Sequence, residues 1–175
     1  LADRARKRRK SAETDSERLF LDCVTEVYDA LSRLCVRWAA VSEKRGMQAC
    51  AESLRAIAER PPRTLREALQ LSLVYDRGQE AEGECVRSQG LFDRLYVKYF
   101  RDDLAAGRET RASAKALLAD YFTRLYAQNH PNGKNIGFGG YDAQGVPVWN
   151  ELTELGFELH NDLNRPNPKL TYRFG

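Results

Sequence analysis

The sequence predicts a mainly α-helical protein with one β-hairpin, and two patterns lead to this fold class. Up to about residue 128, apolar side chains recur at the spacing of an α-helix, in segments separated by glycine, proline or capping residues. From 135 to 149 the period changes, and glycines and β-forming residues surround a central turn. At 175 residues the chain is long enough to bury a core of its own.

The helical portion is predicted over 15–128, and caps and helix breakers divide it. Asp15 or Ser16 can cap the first helix, and the second stops before Pro61 because proline cannot continue it. Thr64 opens a capping box at the third helix, and Thr110 caps the last. The predicted helices cover about 15–43, 48–59, 64–79, 91–106 and 111–128.

The hairpin is predicted over 135–149, with a type I turn that ends on Gly145. Pro147 cannot donate to a ladder, which makes its strand an edge. Asn150 then caps a helix over 150–161, and a strand-like run covers 169–174. One hairpin and one further strand cannot form a self-sufficient sheet, so we expect a larger sheet to continue beyond this chain.

Basic residues concentrate at the start, where 1–14 is predicted to be a basic extension ahead of a domain over 15–175. Six cations against Asp3 give the first ten residues a charge of +5, which leaves −2 for the rest of a chain whose net charge is +3. Such a block can hold phosphates. Since no aromatic residue interleaves it, nucleic acid is the less favoured partner and a solvated, frayed extension is favoured.

Cysteine and histidine placement favours a cytoplasmic protein without a metal. The four cysteines form no C-x-x-C pair, and the two histidines are not grouped with them. A disulfide framework is not expected in a chain this rich in apolar residues. No apolar run approaches the roughly 20 residues of a membrane span, so no membrane partner is expected. The residues concerned are Cys23, Cys35, Cys50, Cys85, His130 and His160.

Four stretches carry a resemblance to a known family when taken in order. They are RPPRTLREALQ at 60–70, QGLFDRLYVKYF at 89–100, GGYDAQGVPVWNELT at 139–153 and RPNPKLTYR at 165–173. They resemble motifs of the glycyl radical enzymes, the pyruvate formate-lyase-like family. Each is weak alone, but their order and intervals across 15–175 make the resemblance specific.

The resemblance implies a segment of the ten-stranded α/β barrel of that fold. In the family, one finger loop carries a cysteine that becomes a thiyl radical. Another carries a glycine whose radical is installed by a radical S-adenosylmethionine activating enzyme. Neither motif occurs in these 175 residues, so we expect no catalytic residue and no bound cofactor in this chain. Cys85 and the final Gly175 are not interpreted as the radical carriers.

The stretch 82–89 resembles the loop that approaches the active site from another side. Its predicted substrate-binding residues are Cys85, Val86, Arg87 and Ser88. Relatives that cleave diols or amines have a His-Ser-x-Ser pattern there, and its loss argues against glycerol or choline. Arg87 has a planar fork that matches a carboxylate, although a solvated surface arginine is the simpler interpretation.

Two functions are therefore weighed. The first is a fragment of a lyase-type glycyl radical enzyme of anaerobic metabolism, which cleaves a C–C, C–O or C–N bond of a small-molecule substrate through a thiyl radical. Its partners would be the rest of the barrel and the activating enzyme, with a homodimer among the expected assemblies. The alternative is a catalytically inactive helical scaffold or interaction module derived from that fold.

Overall fold

The computed structural model describes residues 1–83, 87–128 and 134–174, with Arg87 described through its backbone. The described residues form eight helices and one three-stranded sheet. They divide into two compact units, Leu1–Pro62 and Arg63–Gly175. No helix among them is long and apolar enough to cross a membrane.

The first unit is a three-helix unit. Its helices are α1 (Ala2–Arg9), α2 (Asp15–Lys44) and α3 (Gln48–Glu59). Ala5, Ala12 and Leu21 form a small buried cluster between α1 and α2. The cap of α2 is Thr14, one residue before the predicted candidates, and its hydroxyl accepts from the Glu17 amide at 3.1 Å.

The basic segment predicted as an extension forms α1, and its cations face acids of α2. Arg6 is bonded to Asp29, and Arg9 is bonded to Asp22. Exposed pairs of this kind stabilise a fold only slightly, because water and salt screen the charges. The charge of the block is thus partly neutralised within the unit, in a helix rather than a frayed tail.

The second unit contains the remaining helices and the whole sheet. Its helices are α4 (Leu65–Ala81), α5 (Phe92–Leu95), α6 (Val97–Ala105), α7 (Arg111–Ala127) and α8 (Glu151–Leu163). Its strands are β1 (Arg87–Leu91), β2 (Lys134–Gly139) and β3 (Lys169–Arg173). The helix predicted over 91–106 is broken at Tyr96 into α5 and α6.

The predicted caps of the second unit are present, with one change of partner. Thr64 accepts from the Glu67 amide at 3.2 Å, but the Glu67 carboxylate accepts from the Arg63 amide at 2.7 Å rather than from Thr64. Thr110 caps α7, and Asn150 caps α8 by accepting from the amides of the next turn. Side-chain oxygens here satisfy amides that have no partner inside the helix.

The sheet has the order β1-β2-β3, and both pairings are parallel. This corrects the hairpin predicted over 135–149, because β2 pairs with strands from distant parts of the chain. The turn itself forms, with Gly145 at φ +78°, but its antiparallel pairing is one bridge between Tyr141 and Pro147. Pro147 has no amide proton, so a longer antiparallel ladder could not use that position.

The two faces of the sheet differ because side chains alternate along each strand. Ile136 and Phe138 of β2 are fully buried in the core with Phe92. The other face, which we call the open face, carries Ser88, Asn135, Gly137 and Thr171. The Thr171 hydroxyl donates to the Asn135 side-chain oxygen at 2.8 Å, and Lys169 and Arg173 of β3 lie on the same side, so this face is polar and carries two basic residues.

Candidate functional site

The predicted substrate-binding residues lie at the start of β1. Cys85 and Val86 lie outside the described residues. Arg87 pairs with Lys134 of β2, and Ser88 pairs with Asn135. Ser88 is exposed, and its hydroxyl oxygen accepts from the Gly90 amide at 3.2 Å. Ser88 therefore lies on the open face beside Asn135, where both side chains could contact a small molecule.

Beneath this strand lies a buried polar cluster that the sequence interpretation did not single out. We call it the α4 network, and its members are Ser72, Asp76, Glu80, Gln89, Tyr121, Gln128 and Lys134. At its centre the Lys134 ammonium lies 2.9 Å from an Asp76 oxygen and 3.1 Å from a Glu80 oxygen. The Lys134 and Asp76 side chains are 1% and 2% exposed, so this is a buried ion pair.

Gln89 connects β1 to the same cluster. Its side-chain amide donates to Asp76 at 3.1 Å, and its oxygen accepts from Ser72 at 3.1 Å and from Tyr121 at 3.0 Å. Gln128 at the end of α7 donates to the other Asp76 oxygen at 2.8 Å. Asp76 thus accepts hydrogen bonds from three side chains of the network.

Burial and hydrogen bonding act on the pKa of Asp76 in opposite directions. Desolvation raises it, but hydrogen bonds from Lys134, Gln128 and Gln89 outweigh burial, and the pKa lies below its ordinary value. Burial raises the pKa of the Tyr121 phenol well above its ordinary value. At neutral pH Asp76 is therefore an ionised carboxylate that accepts hydrogen bonds, and Tyr121 is a protonated phenol that donates one to Gln89.

We expect the stability of the second unit to fall with pH below about 4. The folded pKa of Asp76 lies below that of an unfolded aspartate, about 3.9, so its stabilising contribution is complete above that value and is lost as pH falls through the folded pKa. Urea denaturation between pH 3 and 7 measures this dependence. The unfolding free energy should depend less steeply on pH in Asp76→Asn than in the wild type. Asp120→Asn, at the exposed pair with Arg124, is the control and should keep the wild-type slope. Equal slopes in Asp76→Asn and the wild type would contradict this role of Asp76.

A second buried acid, Asp93, lies at the opposite end of β1. It lies in the first turn of α5. It is fully buried, and one carboxylate oxygen accepts from the Gly139 amide and from the Thr153 hydroxyl, both at 2.8 Å. Its backbone oxygen also accepts from the Asn150 side chain at 3.0 Å. Asp93 therefore joins α5 to the end of β2 and to the start of α8.

Arg94 completes this junction from the neighbouring position. Its guanidinium donates to the Gly139 carbonyl at 3.0 Å and to the Tyr141 carbonyl at 2.5 Å. The sequence signal was available, since Asp93-Arg94 lies inside one of the quoted motifs. Among the described residues, no group of three His, Cys, Asp or Glu side chains is placed to hold a metal ion.

Comparison with known protein families identifies the family of this chain. The family model described as pyruvate formate lyase-like matches residues 2–175. The chain belongs to the pyruvate formate lyase-like family. This confirms the resemblance drawn from the four motifs, and the match includes most of the basic segment that was predicted to precede the domain.

Other proteins similar to this chain agree with the pyruvate formate lyase-like assignment. The isethionate sulfite-lyase of Nitratidesulfovibrio vulgaris is 28% identical over 90% of this chain and 22% of its own length. The 4-hydroxyphenylacetate decarboxylase glycyl radical subunit of Clostridioides difficile is 28% identical over 69% of this chain and 15% of its own length. A crystal structure of a glycyl radical enzyme from Archaeoglobus fulgidus has a TM-score of 0.85 and 22% identity, and the match covers 99% of this chain and 26% of that one.

The pyruvate formate lyase-like family thus accounts for the mainly helical fold with its small parallel sheet. This chain spans about a fifth of the length of the curated relatives it matches. The relatives are named as lyase and decarboxylase enzymes, and one is named as a glycyl radical subunit. The residues described above accordingly align with only a portion of each of those proteins.

Proposed function

We propose that this chain is part of a glycyl radical enzyme that cleaves a C–C, C–O or C–N bond, or a C–S bond as the name of the sulfite-lyase relative implies, of a small molecule through a thiyl radical. The observation that supports it most is the family match over residues 2–175. In this proposal the rest of the barrel supplies the cysteine and the glycyl radical, and a radical S-adenosylmethionine activating enzyme installs the radical. The chain itself supplies scaffold and substrate contacts, in a cytoplasmic enzyme that could assemble as a homodimer.

The contribution of this chain to binding centres on Cys85, Val86, Arg87 and Ser88. Ser88 is exposed on the open face next to Asn135, whose side-chain oxygen accepts from the Thr171 hydroxyl. Hydroxyl and amide groups on a rigid sheet can orient a polar substrate because the strands fix their positions. A radical on carbon or sulfur also needs a closed site that excludes water and stray donors, which a sheet face covered by the rest of a barrel would provide.

An anionic substrate is the class that we favour. Arg87 stands at the variable position of the His-Ser-x-Ser pattern of diol-cleaving relatives, and a guanidinium matches a carboxylate or sulfonate in shape and charge. The two similar curated relatives are named for isethionate and 4-hydroxyphenylacetate, both of which are anions at neutral pH. Glycerol and choline fit this composition less well.

The radical proposal is tested on the native protein at its natural length. We would incubate it without oxygen together with its activating enzyme and S-adenosylmethionine, and record its EPR spectrum. The expected result is the signal of a carbon-centred protein radical that exposure to air abolishes. Reading the residues encoded after Gly175 provides an independent check, since a cysteine loop and a glycyl motif are expected there. Absence of both the signal and the motifs would favour the inactive scaffold.

Arg87→Gln tests the substrate class in the activated native enzyme. We expect KM for an anionic substrate to rise about tenfold or more, with a smaller change in kcat, because the lost contact acts mainly on binding. Isethionate, 4-hydroxyphenylacetate and glycerol are offered in parallel. Arg124→Gln, at an exposed ion pair of α7, is the control and should leave KM unchanged. An unchanged KM in Arg87→Gln would place the anion contact elsewhere.

A further inference from the structure

We propose that Gln89 is a positioning residue that fixes the register of β1 on β2 and thereby keeps Ser88 on the open face. The inference rests on the proposed function, because Ser88 matters as a substrate contact only there. Gln89 itself does not lie on the open face. It acts through the strand, from the opposite side of the sheet.

The first step is the alternation of side chains along β1. Gln89 follows Ser88 directly, so the two side chains leave the strand on opposite faces. The Gln89 side chain contacts Ser72 and Asp76 of α4 and Tyr121 of α7, which all belong to the layer under the sheet. Whatever holds Gln89 in that layer also holds Ser88 on the other side.

The second step is that one oxygen atom holds two neighbouring strands. A single Asp76 oxygen accepts from the Gln89 amide at 3.1 Å and from the Lys134 ammonium at 2.9 Å. Gln89 belongs to β1 and Lys134 to β2, and the backbone register pairs Lys134 with Arg87. The carboxylate therefore connects the two strands near the start of both, independently of the backbone ladder between them.

The third step is that the ladder alone specifies this register weakly. The strand β1 has five residues, its pairing is irregular between Ser88 and Leu91, and Gly90 has φ +78°. Short strands with glycine are prone to slip, and a slip by one residue turns every side chain to the other face. Such a slip would move Ser88 or Gly90 into the place of Gln89, and neither side chain is long enough to reach Asp76.

The polar nature of the contact is what makes it specific. An apolar side chain at position 89 could pack against the layer below in more than one register, because apolar contacts have no direction. The Gln89 amide has two donors and an acceptor, and its partners meet them only in the observed register. Buried polar groups of this kind are known to specify register in other folds.

Hydrogen exchange of the full 175-residue chain tests the proposal, with Gln89→Met as the variant. Methionine has nearly the same volume but makes none of the three hydrogen bonds. Gln128→Met is the matched control, since Gln128 donates to the same Asp76 from α7 and contacts neither strand through that bond. We expect the amides of 87–91 to exchange about tenfold faster in Gln89→Met, relative to the amides of α7, and no such local change in Gln128→Met.

Two results would overturn the proposal. One is exchange that rises uniformly over the second unit in Gln89→Met, and the other is equal acceleration of 87–91 in both variants. Should Gln89→Met fail to fold, Gln89→Asn replaces it, because it keeps the amide on a side chain one methylene shorter. It should show a smaller increase that is still confined to 87–91, and a uniform increase would again count against the proposal.

The experiment separates this inference from the proposed function. Hydrogen exchange needs neither substrate nor activating enzyme, so a negative result leaves the radical proposal intact. Conversely, a native protein that forms no radical would leave the exchange result unchanged, and Gln89 would then fix the register of a scaffold. In the activated enzyme, Gln89→Met is expected to raise KM several-fold more than Gln128→Met does. A purely structural role would not produce that difference between variants of equal unfolding free energy.

Discussion

Lys134→Met is expected to lower the free energy of unfolding of the second unit by about 3–5 kcal/mol. The substitution keeps the length of the side chain but removes the only charge that lies between Asp76 and Glu80 in the described network. Asp76 then loses the ammonium that the structure places against its buried carboxylate, and breaking a buried pair from one side costs that much because the remaining charge is poorly compensated. Urea denaturation at pH 7 measures the loss.

Two further variants separate the buried charge from side-chain packing. Lys115→Met removes an exposed lysine of α7 that bridges Glu158 and Asp162, and it should change the free energy of unfolding little because water screens the pair. The double variant Asp76→Leu with Lys134→Met removes both charges and should recover much of the stability, since apolar replacement of a whole pair is often neutral. A Lys134→Met protein as stable as the wild type would show that the pair contributes nothing at this site.

The double variant also bears on why the pair exists. If stability returns while the amides of β1 still exchange rapidly, then the charges specify the arrangement of the strands more than they stabilise the fold. That outcome agrees with the role inferred for Gln89, because both contacts end on the same Asp76 oxygen. If both the stability and the slow exchange of β1 recover, the charges of the network are not needed to specify the arrangement of the strands, and apolar packing does the same.

The helices could be predicted from the sequence because their determinants are local. Apolar spacing and caps such as Thr64, Thr110 and Asn150 act within a few residues, and all three cap their helices in the structure. The break at Tyr96 was not predicted, since the apolar pattern continues across it. The predicted and observed helix boundaries therefore agree to within a residue or two, except that the helix predicted over 91–106 is two helices, α5 and α6.

The pairing of the strands could not be predicted in the same way. Turn residues at 142–145 suggested that β2 pairs with the segment that follows it, whereas its partners are Arg87–Leu91 and Lys169–Arg173. Parallel pairing requires a long crossover, so no signal within the strand identifies its partner. The family resemblance implied a larger barrel, but nothing in the local pattern placed β1 beside β2.

The network was missed because its members are far apart in sequence, yet part of the signal was present. Ser72, Asp76 and Glu80 recur every four residues along α4, which places one polar line on one face. A polar line that contacts a sheet must find partners there. Lys134 could not be assigned to it from sequence, because the pairing of β2 was not known.

Asp93→Ala is the second variant expected to have a large effect, at about 3–5 kcal/mol of unfolding free energy. Alanine removes the acceptor of both the Gly139 amide and the Thr153 hydroxyl, and each buried donor left without a partner costs about 1–3 kcal/mol. Both donors are buried, so the loss leaves them unsatisfied where water cannot replace the carboxylate.

The position of Asp93 predicts which parts of the second unit loosen first. It joins α5 to the end of β2 and to the first turn of α8, whereas the α4 network holds the other end of the same strands. Hydrogen exchange in Asp93→Ala should therefore accelerate in 139–153 more than in α4. In Asp93→Asn, the exchange rates of 139–153 should lie between those of Asp93→Ala and the wild type, because asparagine keeps one acceptor. Asp102→Ala, at an exposed pair with Lys98, is the control and should change little. If acceleration is greatest in α4 instead, the two ends of the sheet are coupled through the core, and Asp93 is not a local junction.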